Sequence, residues 1–415
     1  MKKQINIIGG GASGLFAAAI ARQQGAEVTL FEQKSSPGRK LKITGKGRCN
    51  ITNMAPLSEF LEHFNQRGRF LRHAFNMFFN EDLIQYFEAI KIPVIIERGE
   101  RVFPASQSAK ALTETLIQHV ASSGVQIKTQ ARVNRLIIED NIIKGIQCQD
   151  DHKFYAADAH IISTGGKSYP LTGSSGDGYK MVSRFGHTIT PLFPSLVPLE
   201  TVESIPKELS QLLLKNIRVQ AIIDGKSLKP EFGELQFTDS GLSGATILTL
   251  SRLLIPALND QKTIMIDIDL KPALDHKALD KRLLRELSEN ANKRFITILR
   301  NLLPKDLISL CIKQVQIDPE KTGMNITAEE RRKLKLWLKS LRFNISKGRS
   351  WSEAIVTAGG VDTREISPKT MESKLIKQLY FAGEIIDVDG DTGGFNLQAA
   401  FSTAYLAAIS ASQNE

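Results

Sequence analysis

Apolar runs of four or five residues alternate with helical stretches at both ends of the chain, and glycines stand at the joints. Residues 5–8 form one such run, residues 15–24 an alanine-rich helical stretch that Gly25 ends, and residues 28–31 a second run. Strand, helix and strand over about 30 residues make a βαβ unit. Helical spacing returns around residues 57–90. Between residues 126 and 162 three strand-like runs are split by Asp140-Asn141 and Asp150-Asp151, the pattern of a β-meander.

The texture changes at Pro191, Pro194 and Pro198, after which strand-like runs continue through residues 266–268. Residues 271–342 then carry apolar side chains at helical spacing, as in "KALDKRLLRELSENANKRFITILRNLL" and "EERRKLKLWLKSLRF". From about residue 355 strands resume. The tail reads as strand, glycine-rich loop and alanine-rich helix, and no internal repeat interrupts the chain.

Gly9-x-Gly11-x-x-Gly14 joins the first strand to the first helix, which is the setting of a dinucleotide fingerprint. Gly9 permits the tight turn, Gly11 lets backbone approach a pyrophosphate, and Gly14 lets helix and strand pack closely. The free N–H groups of the helix start then face the phosphates. Glu32 closes the second strand 18 residues after Gly14, where a carboxylate accepts bonds from a ribose and disfavours the extra phosphate of NADP.

FAD and NAD both fit this unit. The tail bears on the choice, because Gly383-Glu384 after a strand and Gly393-Gly394-x-Asn396-Leu397-Gln398 at a helix start would set backbone N–H groups beside a second electron-rich group. A flavin pyrimidine edge is such a group. A capped terminal helix is the plainer reading.

Composition adds less than charge. The 415 residues, 42% hydrophobic and 24% charged, describe an ordinary globular chain with room for several domains. The net charge of +10 is confined: residues 271–350 hold 19 Lys/Arg against 9 Asp/Glu, and the rest of the chain balances. A solvated helical face and a docking face for a polyanion such as nucleic acid both account for this. Cys49, Cys148 and Cys311 are dispersed, which argues against a disulfide framework or a zinc site and suits a reducing cytosol. The N-terminal "MKKQINIIGGGASGLFAAAIA" imitates a secretory signal, but Gly9–Gly11 and Gly14 would interrupt its apolar core. A cytoplasmic protein with no metal is expected.

The succession "GGGASGL", "GRKLKITGKGRCNITN", "STGGKSYPLTGSSGDGY", "GELQFTDSGLSGATIL" and "FAGEIIDVDGDTGGFNLQAAFSTAY" resembles the YhiN/BaiN-like flavoproteins over nearly the whole chain. The resemblance implies an α/β fold, with a Rossmann-like FAD-binding domain built from both chain ends and interrupted by a β-rich domain and a helical insert. The expected division is 1–190 plus 351–415 for FAD, 191–270 for the β-rich domain and 271–350 for the basic helical insert. Carried over, Gly9, Gly11, Gly14 and Glu32 would hold the ADP half, Arg39 the phosphates and the Val133 backbone the adenine. Thr164-Gly165 would approach the cofactor again, and Gly383, Glu384, Gly393, Gly394, Asn396 and Leu397 would hold the ribityl–isoalloxazine half. Asp239 and Ala245 stand where the family often has His and Pro, so no catalytic role passes to the middle domain.

The basic stretch "KLKITGKGRCNITN", residues 40–53, fits neither a P-loop nor a metal clip: Gly47 follows Lys46, and Cys49 has no ligand neighbour. It is expected beside the flavin, with Lys46, Arg48 and Cys49 as catalytic candidates. A thiol next to cations acquires a lowered pKa and can deliver a proton; a small packing residue is the alternative.

Activities implied by the resemblance include amine oxidation, enone reduction in bile acids and reduction of uridine in large-subunit ribosomal RNA. The basic insert favours RNA, with Lys281, Arg282, Arg285, Lys293, Arg294, Arg331, Arg332, Lys333 and Lys335 on phosphates and Trp337 either stacking or in the core. A small-molecule oxidase or reductase and a non-catalytic flavoprotein are the alternatives. NAD(P)H, lacking a second G-x-G-x-x-G, would bind only transiently as electron donor.

Overall fold

The computed structural model describes residues 2–64, 67–149 and 153–413. Its chain divides into two compact units, Met1–Ser195 with Trp351–Glu415, and Leu196–Ser350.

The first unit is organised by a five-stranded parallel sheet in the order Leu379–Phe381, Ala159–Ile162, Gln4–Ile8, Glu27–Phe31, Gln126–Lys128. Strand Gln4–Ile8 lies inside the sheet and is buried over Ile5–Ile8, which explains its isoleucines, while the buried Asn6 is held by a bond from Nδ2 to Tyr155 O at 3.0 Å. The helices Ala12–Gln23 and Phe395–Ser412 pack on one another through buried alanines, so the two chain ends share one core. Phe16 anchors that contact, its ring centroid 5.1 Å from that of Phe401 and 4.7 Å from that of Tyr86.

The meander is shorter than its sequence pattern. Only Val133–Glu139, Ile142–Cys148 and Phe154–Ala156 form the antiparallel sheet, while the runs at 126–128 and 159–162 belong to the parallel sheet. Asp140 and Asn141 make the first turn with φ of 52° and 59°, the pair of left-handed residues a tight hairpin demands. The second expected turn, Asp150-Asp151, lies outside the described residues.

The second unit contains a closed antiparallel sheet. Leu213–Ile223, Glu231–Phe237, Gly241–Ser243, Leu199–Thr201, Leu341–Gly348 and Ile264–Asp269 pair in turn, and the last pairs again with the first. Closure removes the edges a flat sheet would expose. Val219, Ala221, Leu235, Phe237, Ile266 and Ile268 are fully buried. The helices His276–Glu289, Phe295–Leu299, Lys305–Val315 and Ala328–Lys339 lie between two of these strands in sequence. The expected separation at residue 270 is therefore not a structural boundary. Strand Leu341–Gly348, placed by sequence in the helical insert, closes the β-sheet instead. Among the described residues no helix is long and apolar enough to cross a membrane.

Candidate functional site

At the carboxyl end of strand Gln4–Ile8 the three fingerprint glycines are fixed by different contacts. Gly9 has φ +104° and donates its N–H to Phe31 O at 2.8 Å; a Cβ there would lie 2.5 Å from Ser163 O. A Cβ on Gly14 would lie 1.8 Å from Gly9 O. Gly11 differs, since a Cβ would meet nothing within 4 Å. It precedes a helix that no side chain caps, so open space adjoins the unpaired N–H groups of the first turn. That is a cradle for a phosphate.

Glu32 folds back onto this turn, its Oε2 accepting from Gly10 N at 2.9 Å and its Oε1 from Lys34 N at 2.7 Å. Burial pushes its carboxyl above the usual range, against the pull of those two bonds and of the Lys34 and Arg39 charges. Each oxygen keeps a lone pair for a ribose hydroxyl. Arg39 is exposed on the loop that Gly38 N ties to Gly10 O at 2.7 Å. From Glu32 O the chain is bonded to Ala131 N at 2.9 Å, which brings the buried Val133, at the start of its strand, toward the same end of the sheet.

Thr164 and Gly165 follow the strand Ala159–Ile162, Gly165 with φ +69°. Thr164 Oγ1, Asn134 Oδ1 and Asn50 Oδ1 are buried without a hydrogen-bond partner among the described residues. Orphaned buried polar atoms cost about 1–3 kcal/mol each, and Thr164, whose Cα would lie 2.9 Å from a Cβ on Gly9, stands beside the glycine turn where a polar ligand could satisfy it.

The tail completes this end of the unit. Gly383, with φ +78°, lets the chain pass Ser13, whose Oγ would be 2.5 Å from an added Cβ. Glu384 is held through both oxygens: Oε1 accepts from Ser168 Oγ at 2.8 Å and Thr357 N at 2.7 Å, and Oε2 from Lys40 Nζ at 2.8 Å, which leaves Oε2 a lone pair. Burial would raise its pKa, but the Lys40 charge and these hydrogen bonds together hold the carboxyl below its ordinary value. Lys40 Nζ also donates to Ser168 Oγ, and Tyr179 Oη donates to Glu384 O at 3.2 Å.

Gly393 and Gly394 have φ of +131° and +101°, and a Cβ on Gly394 would lie 2.3 Å from Thr52 O. Asn53 Nδ2 donates to Gly393 O at 3.3 Å, so the stretch 50–53 lies against the start of the terminal helix, which again has no side-chain cap. Asn396 is spent on the loop before it, accepting from Gly390 N and donating to Gly390 O, both at 2.8 Å. Leu397 is half-buried against the core.

Within residues 40–53 the three catalytic candidates have different fates. Lys46 sits in a left-handed kink, exposed, with no hydrogen bond or ion pair among the described residues. Arg48 is tethered to Glu97 and Gln107, with its guanidinium 4.1 Å from the Phe103 ring centroid. Cys49 follows the packing alternative and not the lowered pKa of a proton donor. It is fully buried, and burial pushes its thiol up to about 12, with only a bond to Thr44 pulling the other way. Neighbouring cations in sequence do not activate a thiol that faces the core while they face outward.

Lys40, Ser168, Thr357 and Tyr179 are the residues that sequence reasoning missed. Lys40 opens the basic stretch, yet its partner Glu384 is 344 positions away, and nothing local signals the pair.

In the second unit, acids neutralise five of the nine expected RNA contacts. Arg294 pairs with Glu320 at 2.9 Å, Arg332 with Glu329 at 2.9 Å, Arg331 and Lys335 with Asp280 at 3.3 Å, and Arg282 with Glu286 at 4.0 Å. Lys281, Arg285, Lys293 and Lys333 are exposed and have no ion pair among the described residues. Trp337 is 8% exposed and donates Nε1–H to Gln314 Oε1 at 2.6 Å, which makes it a core residue.

Comparison with known proteins matches residues 3–410 to the HI0933-like protein Rossmann domain, and the chain belongs to that family. It is 31% identical over 412 residues to a 3-dehydro-bile acid delta(4,6)-reductase of Clostridium scindens, covering 99% of both chains. It is also 31% identical over 410 residues to a ribosomal RNA dihydrouridine synthase of Haemophilus influenzae, covering 98% of both. Among solved structures, a 3-ketosteroid delta1-dehydrogenase of Sterolibacterium denitrificans superposes with TM-score 0.54 at 10% identity, covering 99% of this chain and 100% of that one, a likeness of fold. The chain is an FAD-dependent oxidoreductase.

Proposed function

We propose that this member of the HI0933-like family reduces a carbon–carbon double bond conjugated to a carbonyl in a uracil base of ribosomal RNA, forming dihydrouridine. The observation that carries the reading is the surface of the second unit, where Lys281, Arg285, Lys293 and Lys333 are exposed with no ion pair among the described residues. A small substrate has no use for such a surface; a polyphosphate strand does. The ribosomal RNA dihydrouridine synthase relative, similar over the full chain, supports it.

FAD, when bound and reduced by a transiently held NAD(P)H, would supply the hydride for the electron-poor carbon of the substrate, the matching proton on the neighbouring carbon coming from solvent. Gly9, Gly11, Gly14 and Arg39 would hold its phosphates, Glu32 its ribose, Val133 the adenine, and Thr164-Gly165 with Gly383 and Glu384 the ribityl chain. Gly393, Gly394 and Leu397 line the ring end, while Asn396 shapes the loop that presents them. Within the basic stretch Lys46 has a free ammonium to meet the oxygen on which enolate charge develops. Arg48 holds the loop in place, and Cys49 packs beneath it. Activity in the cytoplasm, where ribosomal RNA is found, follows from this reading.

Mass spectrometry of ribosomal RNA from a deletion strain tests it. The expected result is the loss of one dihydrouridine, restored by the wild-type gene; unchanged RNA overturns the reading. The bile acid reductase relative, covering 99% of both chains, favours a second reading, reduction of a small-molecule enone. Turnover of a free enone by the reduced enzyme, with ribosomal RNA unchanged, would select it. Rapid reoxidation by air with release of peroxide would instead point to an oxidase.

A further inference from the structure

Helix His276–Glu289 carries two stripes that repeat every four residues. Leu279, Leu283 and Leu287 are buried. Lys277, Lys281 and Arg285 are exposed and have no ion pair among the described residues. The two stripes are offset by two positions, about 200° around the helix, so the buried leucines turn the cations directly outward. At 1.5 Å rise per residue the three charges stand about 6 Å apart along the axis, of the order of the separation between neighbouring phosphates on one nucleic-acid strand.

The acids of the same helix do not cancel them. Asp280 is held by Arg331 and Lys335, each at 3.3 Å, and Glu286 by Arg282 at 4.0 Å and by Asn301 Nδ2 at 3.1 Å. Asp275 caps the helix, accepting from Ala278 N at 2.7 Å. Glu289 falls on the cationic stripe and ends it, which limits the track to three positive charges. Leu284, 44% exposed beside Arg285, offers an apolar contact for a ribose or base edge.

We propose that Lys277, Lys281 and Arg285 form a docking track for three consecutive phosphates of an RNA strand. The inference rests on the RNA reading above and assigns its partner to one helix face. Backbone contacts of this kind fix position and orientation without reading sequence, leaving base selection to the flavin site. Affinity through the track falls with salt as counterions are released.

The test compares two triple variants that change net charge equally: K277E/K281E/R285E in the track, and K110E/K144E/K180E on exposed sites of the first unit. Binding of a labelled uridine-containing RNA hairpin is followed by anisotropy from about 50 to about 200 mM salt. The track variant is expected to bind at least about tenfold more weakly at low salt and to lose about 2 from the log–log salt slope, about 0.7 for each phosphate. The control should lose less than about threefold.

Equal losses in both variants, a track variant that binds like wild type, or tighter track-dependent binding to phosphatidylglycerol vesicles than to RNA overturns the proposal. The two readings fail separately. Normal dihydrouridine in a strain carrying only the track variant sinks the track and spares the reaction. RNA binding through the track, with no dihydrouridine that depends on this gene, sinks the reaction and spares the track.

Discussion

Lys40 and Lys281 both belong to short basic runs, yet the structure treats them oppositely. Lys40 is 21% exposed and meets Glu384 at 2.8 Å, within a network that includes Ser168 and Thr357. Lys281 stands in solvent with no ion pair among the described residues. The difference comes from burial. A charge drawn out of water must be matched at short range or it destabilises the fold, whereas an exposed charge is held by solvent and stays available to a partner. Cations of the first kind are fixed within a site, and cations of the second kind stay free.

Breaking the buried side of this comparison should have the largest effect. Glu384→Ala strands the Lys40 ammonium and the Thr357 N–H, and is expected to cost about 3 kcal/mol in urea denaturation together with most of the flavin on purification. Glu384→Gln, which keeps the shape and part of the hydrogen bonding, should lose less of both. An alanine variant with wild-type stability and flavin content would show that the pair has no such role.

Acid should distinguish the interior by a related route. His160 is fully buried in the parallel sheet, and burial lowers its pKa to about 4 against the raising effects of Tyr155 and Asp158. The fold prefers the neutral ring, so its contribution is complete above the usual histidine pKa and is lost as pH falls toward about 4. Wild type should lose about 3 kcal/mol more than His160→Leu between pH 7 and pH 4; parallel pH profiles would count against a dry site. Glu384 titrates later, because its depressed pKa keeps the ion pair intact until pH falls below the ordinary glutamate range.

Cys49→Ala sharpens the contrast further. The structure makes Cys49 a packing residue, so the variant should lose about 1 kcal/mol of stability and keep both flavin and turnover. Loss of turnover with retained flavin would restore a proton-donor role. The smallest effect is expected at the surface: Arg294→Ala removes an exposed pair with Glu320 and should change stability by no more than about 0.5 kcal/mol in thermal denaturation.

The glycine turn and its contact with Glu32 were legible in the sequence because their determinants are local. Gly9, Gly11, Gly14 and Glu32 lie within one βαβ unit, and their spacing alone sets which glycine must yield to backbone and which leaves room for a ligand. The cationic track was half legible. The four-residue repeat of Lys277, Lys281 and Arg285 is visible in the letters, but only the pairing of Asp280 and Glu286 with other residues shows which charges remain free. The sign of the Cys49 shift was not legible, since sequence records that Arg48 is adjacent but not that its guanidinium lies over Phe103 while the thiol faces the core.

The sequence by itself thus determined the βαβ entry, the glycine turns at both ends, the family and the confinement of positive charge to residues 271–350. Tertiary structure alone decided that Lys40 meets Glu384 across 344 residues, that strand Leu341–Gly348 closes a sheet with Leu199–Thr201 and Ile264–Asp269, and which of the basic residues are spent. Local spacing can impose a helix face or a left-handed turn, because those depend on neighbours along the chain. Burial and charge pairing depend on neighbours in space, and only the folded chain supplies them.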